Sequence, residues 1–187
     1  PGRKEKIKIQ LPPDIDLQLI APDKYLSKML DDGELDAMFT ARAPSCFTKG
    51  SPNVARLFEN YREVEEQYYQ KTGIFPIMHT VIIRRDIYKQ NPWIAMNLYK
   101  AFCEAKDVSM RALTQTHVLG VALPWIQDEI ERTKKTLSAD WWPYGVQKNR
   151  HVLETFLRYH HEQGLSEKLV TIEDLFAPET LDEEFKI

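Results

Sequence analysis

The sequence predicts an α/β fold with a parallel sheet, and three observations predict it. The first is the order of elements near the start. Ile15, Leu17 and Leu19 alternate with polar Asp16 and Gln18, a helical pattern follows, and an apolar run at 35–39 comes next. Strand, helix and strand in so few residues make a βαβ signal. The second is the run 77–83, where Val81, Ile82 and Ile83 are β-branched. The third is distribution: the expected strands precede residue 85, and the rest reads as helical.

Residues 1–13 read as an extended polar linker ending in Pro12-Pro13, and residues 15–20 as a short strand. Pro22 fits a first helical turn. Tyr25, Leu26, Met29 and Leu30 share one helical face, and Gly33 stands where a helix stops. Residues 35–39 have the size of a buried strand, and 41–52, with two prolines and a glycine, form a loop. A helix is expected over 54–72 with Gly73 as its stop, then the strand 77–83, then a helical stretch opened by Asp86. Pro92 begins a helix carrying Ile94, Leu98, Ala101, Phe102 and Ala105 at helical spacing. Pro124 begins another, with Trp125, Ile126, Ile130 and Leu137. The run Trp141-Trp142-Pro143-Tyr144-Gly145 breaks the pattern. Asn149 is placed to cap a helix running to about Gln163 and closed by Gly164. Thr171 with Asp174 matches a capping box, with Asp in place of Glu.

The 187 residues are 43% hydrophobic and 28% charged, the balance of a folded chain. Net charge is -3 with both signs interspersed, so there is no basic stripe to serve a nucleic acid. No apolar run approaches the roughly 18–20 residues that insertion across a membrane needs. Cys46 and Cys103 make no C-x-x-C pair and read as reduced thiols of a cytosolic protein. Pro1 opens a polar stretch with no signal-peptide core. Three strands leave a parallel sheet with uncovered edges and faces, while the later helices have little sheet to cover. The sequence therefore reads as the C-terminal part of something larger.

Few residues offer chemistry. Arg42, in Thr40-Ala41-Arg42-Ala43-Pro44-Ser45, follows an expected strand, where open α/β sheets bind ligands. An arginine there can grip a carboxylate through two parallel hydrogen bonds, and Ser45 adds a donor. From spacing alone Arg42 reads more readily as a surface residue in an irregular loop. His79 lies early in the run 77–83; it reads as a satisfied core residue or as a proton donor near neutral pH. Arg84 and Arg85 read as solvated charge. Trp141, Trp142 and Tyr144 either line a pocket or close a core. His160 and His161 are adjacent and point about 100° apart on a helix, and His151 with Glu154 supplies only two ligands, so no metal site is expected. Cys46 has no base nearby in sequence. There is no glycine-rich phosphate loop, no G-x-S-x-G and no H-E-x-x-H.

Several stretches taken together resemble the 4,5-dihydroxyphthalate decarboxylase family. They are GELDAMFTARAPSCF (33–47), YYQKTGIFPIMHTVIIRRD (68–86), NPWIAMNLYKAFCEAK (91–106), WWPYGVQKNR (141–150) and the ending DLFAPETLDEEFKI. The resemblance covers nearly the whole chain. It implies a type II periplasmic-binding-protein-like fold, two-lobed and three-layered α-β-α, with only the C-terminal part present. Residues 1–76 would be the remainder of the second lobe, a βαβ unit with the ligand-binding loop. Residues 77–187 would return to the first lobe and add the C-terminal helices, with His79 near the hinge.

The function implied is non-oxidative decarboxylation of a hydroxylated aromatic dicarboxylate in an interlobe cleft, with no organic cofactor required and metal assistance left open. In that scheme Arg42 and Ser45 hold a carboxylate, His79 delivers the proton, and Trp142 or Tyr144 packs on the ring. The alternative is a non-catalytic solute-binding protein of an ABC transport system for a small organic acid. The partners implied are a small aromatic or other organic carboxylate and the chain's own missing N-terminal half. A homo-oligomer stays open. The implied location is cytoplasmic, or periplasmic if the missing N-terminus carries a signal.

Overall fold

The computed structural model describes residues 11–182. Most of the linker expected over 1–13 lies outside the described residues, as does the end of the stretch 174–187. Among the described residues every regular element is helical. This overturns the expected α/β three-layer fold. The segments 15–20, 35–39 and 77–83 carry no strand, and no backbone ladder joins one to another. The physical reason is that alternation and β-branching describe one segment, whereas a sheet requires partners in register. Without such partners, Leu19, Phe39 and Ile82 stand 78%, 108% and 88% exposed.

The chain divides into two compact units, Pro1–Glu65 and Glu66–Ile187. The first holds α1 (Leu26–Asp31), α2 (Ser45–Thr48) and the start of α3 (Tyr61–Thr72). Asp32 ends α1, and Gly33 follows at φ 75° in the left-handed region, where the absence of a Cβ removes the steric cost. Gly33 N–H donates to Leu30 O and Glu34 N–H to Met29 O, the paired bonds of a Schellman stop. Pro22 precedes this helix rather than entering it. Ser27 joins α1 to α2. Its hydroxyl accepts from Cys46 N–H at 3.1 Å and lies 2.8 Å from Ser45 Oγ. Cys46 is thereby seated as the buried residue of α2. Arg56 sits between two rings, 5.2 Å from the Phe47 centroid and 4.7 Å from that of Tyr61.

The second unit holds the rest of α3, then α4 (Arg85–Gln90), α5 (Trp93–Thr114), α6 (Ile126–Thr136), α7 (Val146–Glu162) and α8 (Ile172–Leu175), with a 3-10 turn at Pro178–Thr180. Pro92 precedes the first helical residue of α5, as its fixed φ favours. The start expected at Pro124 shifts to Ile126, because Trp125 adopts a left-handed φ of 64°. Asn149 does not cap α7. Gly145 takes that place, and Asn149, inside the first turn, donates to Pro143 O and Gly145 O at 3.0 and 2.8 Å.

The core of this unit gathers Val146, Leu153 and Leu157 from one face of α7 with Ile172 of α8; Phe176 and Leu181 pack against it. The spacing of the α7 residues is that of a single helical stripe. Ile172 is 2% exposed. The capping box that starts α8 is present: Asp174 N–H donates to Thr171 Oγ1 at 3.2 Å, and Thr171 N–H donates to Asp174 Oδ2 at 3.1 Å. Tyr88 OH donates to the Glu179 carboxylate at 2.7 Å, tying α4 to the 3-10 turn. His151 Nε2 lies 2.9 Å from Thr72 O at the end of α3.

Candidate functional site

A cavity of about 420 Å³ opens in the second unit between α5 and the loop that precedes α7. The helix presents Phe102, Lys106 and Ser109 to it, and the loop presents Trp141, Trp142 and Tyr144. Positions 102, 106 and 109 share a face because they are spaced by four and three residues. The loop is held against the helix by one acidic side chain. Asp140 accepts from Lys106 Nζ at 2.9 Å on Oδ1 and from Lys148 Nζ at 2.7 Å on Oδ2. Lys106 also donates to Trp142 O at 3.2 Å, and its Nζ lies 5.2 Å from the Tyr144 ring centroid. Its side chain is only 14% exposed.

Partial burial pushes the Asp140 carboxyl upward. The hydrogen bonds and charges of Lys148 and Lys106 outweigh that effect and hold it below the ordinary aspartate value. Asp140 is therefore an anion shared by two cations. A second cavity of about 330 Å³ also borders Trp141, with Asp107, Arg111, Lys134 and Asp140 in its wall.

The edge of Phe75 packs on Trp142, with centroids 5.9 Å apart and planes at 64°. Phe75 opens the run Phe75-Pro76-Ile77-Met78-His79, so the segment that carries His79 begins against Trp142, a cavity-lining residue. Four residues of chain place His79 within about 14 Å of Phe75. His79 itself is exposed and does not line the cavity.

Of the residues singled out from the sequence, Trp142 and Tyr144 are brought together on one cavity. Arg42 and Ser45 belong to the first unit and are exposed. The Arg42 loop is shaped by Thr40, whose hydroxyl accepts from Arg42 N–H at 3.3 Å and donates to Arg42 O at 3.1 Å. Among the described residues no group of three or more His, Cys, Asp or Glu side chains gathers as metal ligands would, and no helix is long and apolar enough to cross a membrane. The reading of the sequence missed Lys106 and Asp140. The signal for Lys106 was a lone charge within the apolar stripe that runs along α5.

No family model matches the chain. Two curated proteins do, and both are decarboxylases by name. Over all 187 residues it is 38% identical to the 4,5-dihydroxyphthalate decarboxylase of Comamonas testosteroni. Over 69 residues, 37% of the chain, it is 42% identical to the protein of the same name from Pseudomonas putida. The chain spans about half the length of the Comamonas protein, 56%, and the second match covers 27% of the Pseudomonas one.

Proposed function

We propose that this protein takes part in the non-oxidative decarboxylation of a hydroxylated aromatic dicarboxylate of the 4,5-dihydroxyphthalate type. The observation that carries the reading is the similarity along the whole chain to a protein of that name. The cavity supports it on chemical grounds. Aromatic walls with one cation suit a planar anion, and the volume falls within the range of about 300–1,000 Å³ usual for small-molecule sites.

The chemistry is simple in outline. A ring hydroxyl para to the carboxylate pushes electron density into the ring, and an acid protonates the carbon that bears the carboxylate. The bond to the carboxylate then breaks, its electron pair returns to the ring, and carbon dioxide leaves with a dihydroxybenzoate behind. The roles proposed for individual residues follow from this. Trp142 and Tyr144 pack on the ring, His79 supplies the proton, and Arg42 with Ser45 holds a carboxylate.

The test is to incubate the purified protein with 4,5-dihydroxyphthalate and measure carbon dioxide release together with the ring product. Release supports the decarboxylase reading. Binding without release overturns it in favour of solute capture.

A further inference from the structure

Among the described residues Lys106 is the one charged residue in the lining of the cavity, and it belongs to a cluster that holds more cation than anion. Asp140 carries one negative charge and accepts from two ammonium groups, Lys106 and Lys148. The cluster is therefore left with one net positive charge. An ammonium has three N–H donors. Lys106 commits two, one to Asp140 and one to Trp142 O. Its third N–H has no hydrogen-bond partner among the described residues; the residue lines the cavity, and its Nζ lies 5.2 Å from the Tyr144 ring centroid. Ser109, three residues further along α5, lines the same cavity.

We propose that Lys106 is the anion anchor of this cavity: its free N–H takes one carboxylate oxygen of an aromatic acid, Ser109 takes a second oxygen, and the ring lies between Trp142 and Tyr144. The proposal deepens the reading given above and names the residue that selects a carboxylated ring over an uncharged one. An incoming carboxylate neutralises the surplus charge of the cluster. Because the Lys106 side chain is mostly shielded from water, that attraction is screened less than at an open surface. Asp140 becomes a positioning residue, since it fixes where the Lys106 ammonium stands. Lys148 holds Asp140 in turn.

The test is calorimetric titration of the purified protein with two probes of matched ring chemistry, 4,5-dihydroxyphthalate and catechol, which lacks carboxylates. In the unaltered protein the dicarboxylate binds at least about tenfold more tightly than catechol, as expected when a carboxylate meets a charged donor. Lys106→Met keeps most of the stem and lowers that preference by about tenfold while leaving catechol affinity in place; Lys106→Arg restores much of it. Equal affinity for the two probes in the unaltered protein overturns the proposal whether or not any variant folds. So does a Lys106→Met protein that keeps the preference, or one that loses both ligands alike. Turnover is scored separately. Carbon dioxide release with the preference unchanged in Lys106→Met refutes the anchor and keeps the decarboxylase. Selective binding without release does the reverse.

Discussion

Phe75 meets Trp142 edge to face, with ring centroids 5.9 Å apart. This contact joins the segment leading to His79 to the loop that walls the cavity. Removing the ring in Phe75→Ala should cost about 1 kcal/mol, since such pairs contribute roughly 0.5–1.5 kcal/mol beyond area burial and Phe75 is 38% exposed. Denaturant titration measures the loss. A shift in tryptophan emission reports the altered setting of Trp142; an unchanged spectrum would show that the contact is absent in solution.

Acid should loosen the loop. Asp140 is held below the ordinary aspartate value although burial opposes this, because Lys148 and Lys106 bond to its charged form. A carboxyl whose pKa is lowered on folding contributes stability that is present above its unfolded value of about 3.9. That contribution is lost as pH falls through the lowered folded value. Tryptophan emission followed during acid titration should therefore change only below about pH 4, and Asp140→Asn should lack that step.

The helical core should be the stability-limiting part of the second unit. Ile172 is 2% exposed among Val146, Leu153 and Leu157, so Ile172→Ala should cost about 2–5 kcal/mol and Ile172→Val about 0.5–1.5 kcal/mol. Thr171→Ala, which removes the hydroxyl accepting from Asp174 N–H, should cost about 0.5–2 kcal/mol. Urea midpoints with unchanged slopes would confirm all three.

The proposed catalytic roles separate kinetically. His79 is exposed and lies outside the core, so His79→Asn should leave the fold intact. It should lower kcat by about 10²–10⁴-fold, the usual contribution of a general acid. Arg42→Ala should chiefly raise KM, because it removes a charge-assisted grip made before and during the reaction. A His79→Asn protein with normal kcat would remove that residue from the mechanism.

The parts of this structure that could be read from the sequence are those decided by a few adjacent residues. Gly33 and Gly164 stop their helices as expected, with Leu165 N–H donating to His160 O in the second case. Thr171 and Asp174 form their box because both halves of the motif lie within one turn. The run of aromatics at 141–144 borders a cavity because its two prolyl and glycyl neighbours, Pro143 and Gly145, keep it out of a helix. The strands failed because their existence depends on partners that a single segment does not name. Asn149 failed as a cap because Gly145, four residues earlier, reaches the backbone conformation that ends the loop. Lys106 and Asp140 were missed because they lie 34 residues apart and only the folded chain pairs them.

The segment 77–83 has one further consequence, for handling. It is seven residues long, without charge, proline or glycine, and Met78, Val81 and Ile82 are 65%, 62% and 88% exposed. That is the composition of a steric-zipper segment, which can stack between molecules into cross-β fibrils. Arg84, paired with Asp86, and Arg85 stand immediately after it, a run of charge that disfavours stacking, the arrangement known as a gatekeeper. Replacing both arginines with glutamine should hasten thioflavin-positive assembly in concentrated solutions, and Ile82→Lys should delay it.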